Sequence, residues 1–175
     1  LGYYAVAPEV GAAMERALAR LRAAGAEVTE VTLPWTRRVN DLWLTLWSVA
    51  LAAAWGDRVE GQRDRMDPEL LSLMELSAGL SAVEYKRLEF ERTAFWHDFA
   101  AVLEGANAFI CPTCAKTAPL ASDTDDMHDK TLPGGRYGGL DMTSPFNLLA
   151  PCPAISLPLP ITINGIGLRE SISAN

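Results

Sequence analysis

Lysine, histidine and cysteine are scarce in this chain. Three lysines (Lys86, Lys116 and Lys130) and two histidines (His97 and His128) stand among 175 residues. A side-chain base for nucleophilic catalysis would have to come from that short roster. Three cysteines make an odd number and no disulfide framework, so a reducing cytoplasm is the expected setting. Basic charge is also in short supply, with 15 Lys+Arg against 22 Asp+Glu and a net charge of −7. No basic stripe with interleaved aromatics occurs, which argues against nucleic acid as a partner. The same acidity argues against docking on anionic membranes. Long hydrophobic runs are missing too. The longest uncharged apolar run, Leu42 to Trp55, falls short of the roughly 20 residues that span a bilayer. The N-terminal LGYYAVAPEV lacks the basic start and apolar stretch of a signal peptide.

What is present reads as an ordinary globular domain. Apolar residues make up 49% and charged residues 21%, close to the soluble average. No internal repeat or low-complexity tract divides the chain, so residues 1–175 are expected to form one unit without an internal boundary. Pro8 and Glu9 suit a helix start, and Val10, Met14, Ala17, Leu18 and Leu21 follow at helical spacing. Gly25 supplies a left-handed stop. Val28 to Leu33 is a β-rich run closed by Pro34. A second helix, about Arg37 to Val59, is apolar nearly all round and is expected to be buried on several sides, with its Trp43–Trp55 face left as a large exposed apolar patch meant for an absent partner segment. Pro68 opens a third helix, which breaks near Gly79. Ser81 and Glu84 form a capping-box pattern at the start of a fourth, whose core face is Leu88, Phe95, Phe99 and Val102. Ala108–Cys111 and Ala154–Leu157 read as short buried strands. This alternation predicts an α/β protein, a mixed sheet with helices on both faces.

Several groupings could carry chemistry. Cys111-Pro112-Thr113-Cys114 follows a strand and could be a thiol-redox pair, but no clear amphipathic helix follows it, and incidental thiols are the simpler reading. Zinc needs four ligands, and the scattered Cys152, His97 and His128 do not complete a set. Asp123, Asp125, Asp126 and Asp129 lack the central Gly and terminal Glu of a calcium loop, and read as a solvated acidic loop. His97 reads as a helix-surface residue. Its partner nucleophile is missing, since no Gly-x-Ser-x-Gly elbow occurs. Thr143-Ser144-Pro145-Phe146-Asn147 looks like a loop-to-helix entry, with Ser and Thr as caps.

Three stretches fall into the order of one family. APEVGAAMERALARLRAAGAEVTEVTLP, GLSAVEYKRLEFERTAFWHDFAAVLEGANAFICPT and TSPFNLLAPCPAISLP together resemble the C-terminal part of the amidase signature family. The family includes amidases and a component of glutamyl-tRNA amidotransferase. The resemblance implies an α/β/α fold and a hydrolase that cleaves carbon–nitrogen amide bonds. In that chemistry a serine attacks the amide carbon, a second, cis-bonded serine relays the proton, and a lysine acts as base. Backbone N–H groups stabilise the oxyanion. Those serines, the lysine and the Gly/Ser-rich signature lie upstream of the matched region in the family, so the resemblance assigns no catalytic residue here. It implies Thr113, Thr143 and Asn147 as substrate-binding residues bordering the cleft. It implies no cofactor and no metal. Its partners would be a small-molecule amide and a missing core segment or a second copy of the chain. A non-enzymatic relic or binding module and the thiol-redox protein are the alternative readings. After Pro160 the chain departs from the family's Gly-Leu-Pro-Val-Gly-Leu-Gln continuation and ends in GIGLRESISAN.

Overall fold

The computed structural model describes residues 1–149 and 152–159, with the backbone of 162–163 and 166–167. The elements run α1 (Pro8–Ala23), α2 (Arg38–Val59), a 3-10 turn (Arg63–Arg65), α3 (Pro68–Glu75), α4 (Ala82–Leu103), α5 (Asp125–His128), α6 (Ser144–Leu149), β1 (Thr162–Ile163) and β2 (Ile166–Gly167). The two short strands pair antiparallel, Thr162 opposite Gly167 and Ile163 opposite Ile166. That ribbon is the whole sheet among the described residues, and the expected mixed sheet with helices on both faces is overturned. The three segments read as strands, 28–33, 108–111 and 154–157, form no ladder. A helix closes its backbone hydrogen bonds within itself, whereas a strand exists only beside another. The expected burial fails with it: Ile110, Ile155 and Leu157 are exposed. The divergent tail lies largely outside the described residues.

The chain divides into two compact units, one of residues 1–34, 102–143 and 153–175, the other of 35–101 and 144–152. In the first, α1 starts on Pro8 and stops as its sequence dictates. Gly25 takes φ +93°. Its N–H donates to the Arg22 carbonyl and the Ala26 N–H to that of Leu21, the paired bonds of a glycine-terminated helix end. Beyond α1 this unit is laced by irregular backbone bonds. Ala5 N–H donates to Tyr137 O at 2.8 Å, Tyr137 N–H to Tyr3 O at 2.8 Å, and Ala7 N–H to Ala115 O at 2.8 Å. They enclose a small core of Tyr4, Ala115, Tyr137 and Met142, with Leu1, Tyr3 and Val6 packed against it. Gly139 is needed here, because a Cβ would overlap the Tyr137 ring.

The second unit is helical and aromatic. Trp35 is buried against Phe95, Phe99 and Phe146, with ring centroids 5.8–6.3 Å away. Its indole Nε1–H is buried with no acceptor; the ring contacts offset that cost. Val39 and Leu42 of α2 are wholly buried. Trp47 and Trp55 are 45% and 50% exposed, as expected of the Trp43–Trp55 face, so the burial of α2 is confined to its other sides. The break at Gly79 (φ +82°) and the capping box both form. Glu84 N–H donates to Ser81 Oγ at 3.2 Å, and Ser81 N–H to Glu84 Oε2 at 2.9 Å. The Ser81 hydroxyl and N–H hold the Glu84 carboxyl below its ordinary value.

Ser48 joins α2 to the end of α3. Fully buried, it donates to Ser77 Oγ (2.9 Å) or Met74 O (3.3 Å) and accepts from Ser77 N–H (3.0 Å). Ser48→Ala leaves the Ser77 N–H without that acceptor, at a cost of about 1–3 kcal/mol. Urea unfolding followed by tryptophan fluorescence is expected to show that loss. An unchanged midpoint would mean that water replaces the hydroxyl at no cost.

Candidate functional site

The segment leading out of α4 meets 140–142 at residues 113–115. Cys114 forms an antiparallel bridge with Asp141. Ala115 N–H donates to Leu140 O at 2.8 Å, and Met142 N–H to Thr113 O at 3.0 Å. This clasp fixes the backbone on which Thr113 and Thr143 sit. Buried Ala115 and Met142 anchor it from below, while Thr113 and Asp141 face solvent.

The side chains of the clasp form two pairs. Asp141 Oδ1 accepts from the Thr143 N–H at 2.8 Å and from the Thr143 hydroxyl at 2.6 Å, a carboxylate organised by the residue two positions on. The Tyr4 hydroxyl donates to the Asp141 carbonyl at 2.6 Å and holds its backbone from the other side. Thr113 Oγ1 lies 3.0 Å from Ser156 Oγ, 43 positions away. The structure thus brings two of the three expected residues onto one clasp. Asn147 lies elsewhere, exposed on α6 in the second unit. Sequence reasoning missed Asp141 and Ser156. The Asp-Met-Thr spacing was a usable signal for the first, since Asp commonly caps the backbone two residues ahead. Nothing local marks the second.

This cluster has hydroxyls and a carboxylate but no activated nucleophile. An activated serine needs a base within hydrogen-bond reach, and Ser156 is paired with a threonine. Lys116 is committed to the Gly138 carbonyl at 3.3 Å. The arrangement suits the binding and orientation of a polar ligand rather than bond cleavage.

The other groupings have local explanations. Cys111, Cys114 and Cys152 are free. Burial pushes the Cys111 thiol up to about 11, the opposite of the lowered value that makes a redox nucleophile. Asp123 accepts from the Leu120 N–H at 3.2 Å and lies 3.3 Å from His128 Nε2. Asp129 accepts from the Tyr137 hydroxyl at 2.7 Å. His97 is exposed on α4. In the second unit an open groove of about 320 Å³ is lined by Val49, Ala52, Ala53, Leu80 and Tyr85 among others. It is apolar and brings no catalytic pair together.

Known proteins share this sequence pattern over nearly its whole length. The chain is 29% identical to the glutamyl-tRNA(Gln) amidotransferase A-subunit of Thermosynechococcus vestitus, over 97% of its own length and 39% of that protein. It is 29% identical to the counterpart from Synechococcus sp. CC9605, over 96% of itself and 38% of the relative. For the Exiguobacterium sp. counterpart the figures are 28%, 93% and 38%. The chain therefore spans about two fifths of the length of these relatives. No solved structure matches it. The Amidase family model matches residues 1–168, which takes in the clasp, Asn147 and nearly all of the chain, and on that match the chain belongs to the amidase family.

Proposed function

We propose that this chain is the C-terminal portion of an amidase-type hydrolase, supplying substrate-binding surface to a catalytic core that it does not itself carry. The observation that supports this most is the family match over residues 1–168 in a sequence with no Gly/Ser-rich signature and no lysine in a catalytic context. In the proposed reaction the core's serine attacks the amide carbon and forms an acyl-enzyme. The carbon–nitrogen bond breaks, and the amine leaves with a proton delivered through the second serine and the lysine. Water then releases the carboxylic acid and restores the serine. Thr113 and Thr143, with Asp141 held by Thr143, contact polar groups of the amide substrate. Asn147 is a further contact, made from α6. A preorganised carboxylate suits this role because its orientation is set before substrate arrives. The relatives named above are components of an amidotransferase, so transfer of the acyl group or of ammonia is the second outcome of the same acyl-enzyme chemistry.

Two measurements test the reading. The 175-residue chain alone is expected to hydrolyse none of a panel of aryl and aliphatic amides, whereas co-expression with an amidase serine–lysine segment gives turnover. Amide hydrolysis by the chain alone would sink the proposal. In the reconstituted enzyme, Thr143→Val removes one of the two hydrogen bonds that hold Asp141 and raises KM about tenfold with kcat nearly unchanged, the cost of roughly one hydrogen bond. A selective fall in kcat would instead place Thr143 in the chemical step.

The thiols should be bystanders. With Cys111 at about 11 instead of its ordinary 9.0, its thiolate is about a hundredfold scarcer at pH 8. Iodoacetamide is expected to label it at least roughly tenfold more slowly than the exposed Cys114 and Cys152. The sign of the linked stability follows. The unfolded thiol ionises from about pH 9 while the folded one stays neutral, so its contribution is complete below pH 9 and is lost toward pH 11. Cys111→Ala should flatten that alkaline decline. Fast labelling of Cys111 would revive the thiol-redox alternative.

A further inference from the structure

The peptide unit between Asp141 and Met142 is bonded at both ends. Its carbonyl, that of Asp141, accepts from the Tyr4 hydroxyl at 2.6 Å. Its N–H, that of Met142, donates to the Thr113 carbonyl at 3.0 Å. A peptide unit is planar and turns only as a whole, about the ψ before it and the φ after it. Bonds on its two edges therefore fix ψ of Asp141 and φ of Met142 together. Those angles decide where the Thr143 N–H lies relative to the Asp141 carboxylate, which it meets at 2.8 Å. Thr113, Asp141 and Thr143 are thus registered on one peptide plane.

The Tyr4 bond to that plane comes from 137 positions away in the chain. Tyr4 is buried, and its ring packs on Tyr3 at 4.7 Å and Tyr137 at 5.2 Å between centroids. Backbone bonds on both sides of it, Tyr137 N–H to Tyr3 O and Ala5 N–H to Tyr137 O, hold the segment at 2.8 Å each. Packing and backbone together deliver the hydroxyl to one place. The geometry points to Tyr4 as a positioning residue for substrate binding. It touches no ligand, and it locks the Asp141–Met142 peptide plane so that the Asp141–Thr143 pair is set before the amide arrives. The inference rests on the amidase-type reading of the clasp.

Tyr4→Phe separates the hydroxyl from the ring. Phenylalanine keeps the packing on Tyr3 and Tyr137 and removes the donor, so the variant is expected to fold. The plane is then held by its N–H alone. One neutral hydrogen bond is a factor of about two to twelve in an equilibrium, so the clasp loosens and persists. Lost preorganisation is felt as weaker binding, whereas the bond-breaking groups, which lie outside this chain on that reading, are untouched.

In the enzyme reconstituted with an amidase serine–lysine segment, Tyr4→Phe is expected to raise KM about fivefold with kcat nearly unchanged. Tyr4 sets the Thr143 N–H and the Thr143 hydroxyl supplies the other bond to the same carboxylate oxygen, so the two effects are coupled. The double variant Y4F/T143V should stay near the tenfold of Thr143→Val alone, where independent sites would multiply to about fiftyfold. Amide hydrogen exchange in the 175-residue chain alone gives a second readout. The Met142 and Thr143 N–H groups should exchange about fivefold faster in Tyr4→Phe, while those inside α1 keep their wild-type rates. Uniform acceleration would make Tyr4 an ordinary core residue, and unchanged exchange at Met142 would mean that the plane stands without it; either overturns the inference. In an enzyme that turns over, an unchanged KM or a fully multiplied double variant also overturns it and leaves the amidase-type reading intact. Absence of turnover in the wild-type reconstitution sinks that reading, and this inference with it, before any Tyr4 variant is made.

Discussion

Backbone hydrogen bonding sets what this chain can build. Helices α1, α2 and α4 satisfy their interior N–H and C=O groups within themselves and form wherever the side chains permit. Extended segments must find their partners elsewhere. The stretch 3–7 finds them at Tyr137 and Ala115, and those few bonds organise the first unit. The Tyr4–Tyr137–Met142 core sits under them, and the 113–115 and 140–142 clasp is continuous with them. The Tyr4 hydroxyl joins core to clasp through the Asp141 carbonyl. The candidate site is thus a consequence of how one N-terminal segment is satisfied, which explains why it is rigid in its backbone while its hydroxyls face water.

The same constraint decides which parts of the sequence are readable. Pro8 and Gly25 bound α1 as expected, and Ser81 and Glu84 cap α4, because each signal acts within a few residues of itself. The strand expectations failed for the opposite reason. β-branching at Val28–Thr32 and apolarity at Ala108–Cys111 report a local preference, and pairing is a property of two segments. At the site, Thr113 and Thr143 were named from family order, and the Asp141–Thr143 pairing could have been read from their spacing. The contact of Thr113 with Ser156 joins positions 43 apart, and no local pattern encodes it. For α2, an apolar composition nearly all round suggested burial on several sides, with one tryptophan face left open. Composition states what a helix tolerates and leaves open how many neighbours reach it.

The chemistry divides along the same line. Binding groups can be supplied by a clasp, because a hydroxyl and a carboxylate need only be held in place. Cleavage needs a nucleophile and a base whose pKa values are tuned by each other, and the scarcity of lysine and histidine removes most of the means to do so here. The Asp141–Thr143 pair meets the first requirement by its geometry.

Two kinds of apolar exposure remain, and they differ in what they lack. Ile155 and Leu157 are 84% and 68% exposed on a segment with no ladder, so its cover must supply hydrogen-bonding groups as well as surface. The Trp43–Trp55 face of α2 sits on backbone that is already satisfied, so only side-chain area is missing. At roughly 25 cal/mol per Å², covering an exposed half-tryptophan is worth about 2–3 kcal/mol before the entropy of association is counted. That entropy is several kcal/mol and is charged once for the whole contact. A single exposed tryptophan therefore cannot hold a partner.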